Sequence, residues 1–407
     1  MAITVHQSPP ARALAYNPQK FYASSTQVAQ PNFRYKVIIT DLITSDTQTY
    51  WVDADPDGFC RFDATPFTKT FFTHYLPINT YGWQKSTSIR QIRVNIGEYY
   101  GTTPTYYAGS NYDWIAWNGQ EDVLDFPNFN IDNYLYDITV PNYAYLTDTI
   151  NSLAFEDRSD YFYVLTKGAG DLVRLRVRTY LPSGALEGEF FIDNPHEAST
   201  TYTDKYLCID VGIKGLTEIT GALVTVNAGA LPIIKSTTES YIIAEANPSG
   251  ADPAFRDIKQ FTIGCTPRFP VYTIHFLRKN GAFNSFHFHK RSDFTTSKQE
   301  QRYSVYPYQA DGVSAYEYDR STIMSRPLNV TSKDVLRLNT DWITPAQVDL
   351  LKELFDSPYI YLDEGSTLPY RQVTYIKNSY NLNKAWNEKL FNLQADFEVA
   401  ATNYRQI

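Results

Sequence analysis

Three constellations in the sequence carry residue types able to do chemistry. In Asp53-Ala54-Asp55-Pro56-Asp57-Gly58 three carboxylates alternate before a glycine, as in the first half of a calcium-binding loop. Calcium takes several oxygen ligands, and the EF-hand loop closes on a bidentate Glu at its twelfth position. Here that position is Ala64, Pro56 stiffens the loop, and the flanks alternate like strands. An acidic turn stopped by Gly58 is expected, with no bound metal at Asp53, Asp55 or Asp57. His275, His287 and His289 form the second constellation. Imidazoles two residues apart on a strand share a face, as a zinc site requires. If Asn280-Gly281 makes a two-residue hairpin turn, His275 opposes Phe286 and His287 opposes Ile274, so His275 lies on the other face from the pair. Only a loop of odd length would gather all three. Packing beside Phe283, Phe286 and Phe288 is the expectation.

The third constellation is Arg174, Arg176 and Arg178, a basic stripe on a strand whose opposite face carries Val173, Leu175, Val177 and Thr179. Such a stripe can grip phosphates, but it lacks the interleaved aromatics of a single-strand nucleic-acid platform. The plain alternative is a solvated face, or one paired with acidic neighbours; a contact between subunits is the expected use. The turn Lys167-Gly168-Ala169-Gly170 is too short for a dinucleotide fingerprint and precedes a strand. Walker, His-Glu-x-x-His and Gly-x-Ser-x-Gly motifs are absent. Asp363/Glu364 is a carboxylate pair of the kind any acidic surface offers. No catalytic residue, cofactor site or metal site is therefore expected, and no small-molecule ligand.

The composition limits what these residues serve. The chain has 407 residues, with 36 Lys plus Arg against 44 Asp plus Glu, a net charge of −8 and a pI near 5.3. That balance argues against a protein that coats nucleic acid, which must neutralise phosphates. Hydrophobic residues make up 43% and charged residues 20%, enough for a sizeable core. No membrane span and no signal peptide is readable. Cys60, Cys208 and Cys265 are too few and too scattered for a disulfide framework. Tyr, at 33, is abundant and suits half-buried strands and wet interfaces.

Positioning falls to strands. Phe33–Thr40, Thr49–Val52, Ile89–Ile96 and Tyr112–Trp117 alternate, the last closed by an Asn118-Gly119 hairpin signal. Leu172–Tyr180, Lys205–Gly212, Ala222–Val226 and Tyr241–Ala244 follow, then Val271–Leu277 and Phe283–His289, Tyr359–Leu362, Gln372–Ile376 and Leu390–Val399. One helix is predicted over 345–356: Thr344 caps it, Pro345 opens it, and Gln347 completes a capping box. Val348, Leu351, Leu354 and Phe355 form its apolar stripe, and Ser357-Pro358 ends it. The fold class is mainly β: multi-domain β-sandwiches with that one short C-terminal helix packed on strands. The divisions expected are an extended arm over 1–32, a β-sandwich over 33–150, a second β-rich domain over 151–250, and a C-terminal β-rich domain over 251–407. The turn-forming run 247–253 serves as linker. In the arm, Val5, Leu14, Tyr16, Phe21 and Tyr22 are candidate contacts to a neighbouring subunit, ordered only on that neighbour.

Four segments carry a resemblance. Pro31-Asn32-Phe33-Arg34-Tyr35 runs on to Asp55-Pro56-Asp57-Gly58-Phe59-Cys60-Arg61-Phe62-Asp63. Trp117-Asn118-Gly119-Gln120 comes next, with Phe126-Pro127, and then Tyr272-Thr273-Ile274-His275-Phe276-Leu277-Arg278-Lys279-Asn280-Gly281-Ala282-Phe283-Asn284-Ser285-Phe286. Last is the C-terminal part, with Leu351-Lys352-Glu353-Leu354-Phe355-Asp356-Ser357-Pro358, Asn378-Ser379-Tyr380 and Asn387-Glu388-Lys389-Leu390-Phe391. In this order the chain resembles virion structural proteins of tailed bacteriophages, particularly crAss-like phages and relatives that infect Bacteroidota. The resemblance implies a β-sandwich-rich subunit of the neck ring, tail or baseplate, made in the host cytoplasm and built into the virion. Its implied partners are other copies of itself in a symmetric ring and neighbouring virion proteins, without specific nucleic-acid recognition, and there are no catalytic residues to carry over. Two other classes stay open. A carbohydrate-binding module or adhesin would use Trp51, Trp83, Trp114 and Trp117 as stacking platforms, exposed in a shallow groove. A glycan hydrolase would need two carboxylates facing each other across a cleft.

Overall fold

The structure, a computed structural model, describes residues 3–74, 76–78, 80–86, 88–121, 130–136, 145–166, 172–196, 205–219, 221–246, 257–304, 325–365, 370–376, 393–399 and 403–405. It is mainly β, with 50% strand and 11% helix, far from the roughly one-third helix of an average soluble domain. The chain divides into two compact units: residues 1–265 with 276–285, and residues 266–275 with 286–407.

The first unit holds two sandwiches. In one, a three-stranded sheet of Ile3–Gln7, Lys20–Ser25 and Phe59–Asp63 packs on a larger sheet ordered Arg12–Leu14, Asn111–Trp117, Ile89–Tyr100, Arg34–Asp41, Thr47–Val52. Alternation in Arg34–Asp41 sends Tyr35, Val37 and Ile39 inward. They meet Ile92, Val94, Ile96 and Trp114 of their own sheet and Phe21, Ala23 and Cys60 of the facing one. In the other, Tyr161–Thr166 and Lys205–Asp210 supply Phe162, Val164, Leu207 and Ile209. These pack on Leu175, Val177, Phe190, Ile192, Tyr241 and Phe261 of a six-stranded sheet. Residues from both sides of position 150 build this second sandwich: Gln84–Lys85 pairs with Lys205–Asp210, and Trp83 lies in its core. The expected division at 150 is corrected for that reason. The expected linker 247–253 and the turn 167–170 lie outside the described residues, as do Phe126-Pro127, Asn378–Tyr380 and Asn387–Phe391 of the resemblance.

The extended arm over 1–32 is also corrected. Ile3–Gln7 pairs with Lys20–Ser25, and Arg12–Leu14 runs parallel to Asn111–Trp117. Leu14 and Phe21 are buried to 1% exposure, while Val5 and Tyr16 pack against the same core. Tyr22 stacks on Phe59 with ring centroids 4.7 Å apart. Small side chains at Ala13, Ala15 and Ala23 let these short strands sit close to the core, which gives a loop-like composition to a segment that is in fact integral. Asn118-Gly119 closes no hairpin: Asn118 N–H bonds Ser88 O and Gln120 N–H bonds Lys279 O.

The second unit contains most of a long sheet, ordered Phe283–Phe288, Tyr272–Leu277, Ile360–Asp363, Arg371–Tyr375, Gln394–Val399, Ser325–Asn339, Asp293–Ser304. The helix Pro345–Asp356 starts where its local signals require. Thr344 Oγ1 accepts from Gln347 N–H (3.3 Å), and Gln347 Oε1 accepts from Thr344 N–H (2.9 Å). Its Val348, Leu350, Leu351 and Leu354 are buried, and Phe355 stacks on Tyr375 at 4.5 Å.

Candidate functional site: a solvated ribbon and a buried polar centre

Asp293–Ser304 and Ser325–Asn339 pair through twelve registered positions. At about 3.3 Å per residue, the first strand alone is roughly 40 Å long. Its two ends differ. Near the root, Leu336 and Leu338 alternate inward and Ser325–Asn339 also pairs with Gln394–Val399. Opposite that same stretch, five consecutive residues, Phe294–Lys298, are exposed, and Gln301–Ser304 are exposed further out, so both faces of the ribbon meet solvent. Phe294 and Leu328 are 59% and 64% exposed, values at which apolar side chains gain nothing from the chain's own core. Among the described residues Asp293–Ser304 pairs on one side only, which leaves an edge of unpaired backbone groups. Glu300 sits between Lys298 and Arg302 and pairs with both, which lowers its pKa.

The second feature lies inside the first unit. Lys259, Asp148, Asp160 and Asn284 are all buried. Lys259 Nζ is 3.3 Å from Asp148 Oδ2 and 3.6 Å from Asp160 Oδ2, while Asn284 Nδ2 donates to the same Asp148 Oδ2 at 3.0 Å. Burial opposes the lysine charge, but the two carboxylates outweigh it and hold the ammonium pKa above its ordinary value. Burial pushes Asp160 up to about 6, against the pull of Lys259. Next to it Asp210 accepts from the N–H groups of Asp160 (3.0 Å) and Gly212 (2.9 Å), yet burial still pushes it up to about 7.

Residues 276–285, the tip of the hairpin Tyr272–Leu277/Phe283–Phe288, belong to the first unit and bond to other segments of it. Trp117 Nε1 donates to Asn280 O (3.2 Å), Tyr206 OH to Gly281 O (2.8 Å) and Gln120 N–H to Lys279 O (2.7 Å). Asn280 Nδ2 and Arg278 Nη1 both donate to Leu146 O. Two of the segments that carry the resemblance, Trp117–Gln120 and the hairpin, thus meet in space. Gly281 takes φ +81° and leaves no room for a Cβ, which would fall 1.5 Å from Asn118 O.

That tip also corrects the histidine geometry. Arg278 N–H bonds Ala282 O (2.8 Å) and Gly281 N–H bonds Arg278 O (3.0 Å), which makes a three-residue loop with a glycine bulge. Thr273 then opposes His287, and their side chains bond at 2.8 Å. His275, His287 and His289 therefore share one face. Each is engaged separately: His275 faces Asp363 at 4.0 Å and stacks on Tyr370, and His289 faces Asp341 at 3.6 Å. No group of three His, Cys, Asp or Glu able to hold a metal occurs among the described residues.

The other sequence candidates are dispersed. Arg174 pairs with Asp193 (3.3 Å), and Arg176 and Arg178 share Glu189 (3.8 and 2.9 Å). With Arg176 at 2% exposure and Arg174 and Arg178 half-buried, the stripe is answered by the chain's own adjacent strand. Asp53 pairs with Arg34 and Asp55 with Arg61, and Asp55 Oδ1 also caps the N–H groups of Asp57 and Phe59. Trp83, Trp114 and Trp117 are buried and Trp51 alone of the four is exposed, so they form no stacking groove. An open depression lined by Gln7, Lys20, Tyr22, Arg61 and Asp63 offers one carboxylate, already bonded to Thr65. The residues that sequence reasoning missed are Lys259, Asp148, Asp160 and Asn284. A signal existed for the lysine, which lies two positions before buried Phe261 on the inward face of Asp257–Ile263. Compared with known proteins, the chain matches no protein-family model and no curated protein.

Proposed function

We propose that this chain is a structural subunit of a tailed-phage virion, in the neck ring, tail or baseplate, which assembles with copies of itself and neighbouring virion proteins and performs no catalysis. The observation that carries this reading is the ribbon. Beyond the short strand Asn403–Arg405, which pairs with Val330–Ser332, the ribbon is two-stranded and solvated on both faces, which is marginal on its own. The unpaired edge of Asp293–Ser304 is a template for another strand. Exposed Phe294, Tyr303 and Leu328 add apolar area suited to a partner. The resemblance of the quoted segments supplies the setting, and burial of three of the four candidate tryptophans takes support from the glycan-binding alternative.

Electron microscopy of the purified chain tests the proposal. Closed rings are expected, and replacing residues 301–329 with a short turn should disperse them with little change in thermal midpoint, because the buried root at Leu336 and Leu338 and the pairing of Val330–Ser332 with Asn403–Arg405 are kept. A chain that stays monomeric at all concentrations, or a shortened ribbon that still forms rings, would defeat it.

A further inference from the structure

Lys259, Asp148 and Asn284 form an amine, a carboxylate and a carboxamide held together in the interior of the first unit. One oxygen, Asp148 Oδ2, contacts both the amine nitrogen at 3.3 Å and the amide nitrogen at 3.0 Å. Those two contacts keep the nitrogens within about 6 Å of each other, and side-chain rotation about the shared oxygen must bring Nζ to the roughly 3–3.5 Å from Asn284 Cγ of a near-attack geometry. The Asn284 carbonyl Oδ1 is buried and has no hydrogen-bond partner among the described residues. The amide is thus engaged at its leaving end and unengaged at the end where charge develops during attack. An ordinary buried asparagine satisfies both ends, and an ordinary buried lysine needs an acceptor but no amide.

We propose that Lys259 and Asn284 form an intramolecular isopeptide bond, with Asp148 carrying the proton. The Lys259 ammonium gives a proton to Asp148 Oδ2, which frees the Nζ lone pair. This transfer runs against the raised ammonium pKa, and the removal of two charges from a low-dielectric interior offsets part of its cost. Nζ attacks Asn284 Cγ, the Nζ–Cγ bond forms and the Cγ–Nδ2 bond breaks. Asp148 passes its proton to the departing nitrogen, and the remaining surplus Nζ proton follows. One ammonium side chain and one carboxamide become one secondary amide and one ammonium ion, with no other reactant. Asp160, 3.6 Å from Nζ, is a second carboxyl whose raised pKa lets it share the proton. The bond would tie the strand Asp257–Ile263 to the hairpin tip.

Mass spectrometry of the full chain, folded and then denatured, reads the outcome directly. The expected result is a loss of one ammonia, about 17 Da. After trypsin the missing mass should sit in a branched species that joins Asp257–Arg268 to Asn280–Lys290, uncut at Lys259. An unchanged mass overturns the proposal. So does a loss of one water, about 18 Da, which would assign the bond to Asp148 or Asp160. So does an ammonia loss with only linear peptides, the mark of a succinimide at Asn280-Gly281. Asp148→Asn should remain folded by circular dichroism and show no branched peptide; a branched peptide in that variant overturns the role given to Asp148.

Discussion

Asp210 illustrates how a single buried carboxyl sets a pH dependence. Its ordinary pKa of 3.8 is pushed up to about 7 by burial, only partly offset by Ser159 and the N–H groups of Gly212 and Asp160. The folded chain therefore holds this proton more tightly than the unfolded chain does. The associated stability is fully present below about pH 4 and is lost as pH rises through 7, by up to a few kcal/mol. Asp210→Asn keeps an oxygen for both N–H groups and never ionises. Its thermal midpoint relative to the parent should climb steadily between pH 4 and 8. A difference that stays flat over that range would mean that the parent carboxyl does not titrate there.

At the scale of elements, the N-terminal strands behave as part of the core. Deleting residues 1–30 removes Leu14, Ala15, Phe21 and Ala23, all buried to 1% or less, together with the middle strand of a three-stranded sheet. Loss of even one large buried side chain costs about 2–5 kcal/mol. The truncated chain should unfold at a clearly lower temperature or fail to fold, as read by calorimetry; an unchanged midpoint would contradict the burial. This segment also shows what sequence patterning reaches. The helix Pro345–Asp356 was legible because a capping box, a proline and a stripe are local signals, all within one stretch of chain. Arg34–Asp41 and Ile89–Tyr100 were legible because large β-branched and aromatic residues alternate. Arg12–Leu14 and Lys20–Ser25 carry their pattern in alanines, which weigh little in any hydrophobic alternation. The Arg174–Arg178 stripe was visible, but its partners Asp193 and Glu189 depend on which strand lies alongside. The polar centre was hidden for the same reason, since Asp148, Asp160, Lys259 and Asn284 are brought together from distant parts of the chain only by tertiary packing.

For the molecule as a whole, charge governs how copies approach one another. Many of its cations are already matched within the chain, among them Arg93 with Asp113, Arg174 with Asp193 and Arg337 with Asp396. What copies present at a distance is the net −8. Mutual repulsion fades as the Debye length shrinks to about 8 Å at physiological salt. If the chain forms the proposed ring, its assembly, followed by light scattering, should strengthen as salt rises from low values to about 0.15 M. Assembly that weakens over that interval would reveal ion pairs between subunits as the governing contacts.

The hairpin tip has a consequence for descent. Three consecutive carbonyls, those of Lys279, Asn280 and Gly281, each accept one bond from elsewhere in the first unit. What is recognised there is the path of the main chain, together with the side chains of Arg278 and Asn280 that reach Leu146 O. A single inserted residue would turn all three acceptors away at once. Distant kin should therefore keep the loop's length here, with the glycine at 281 as the fixed letter.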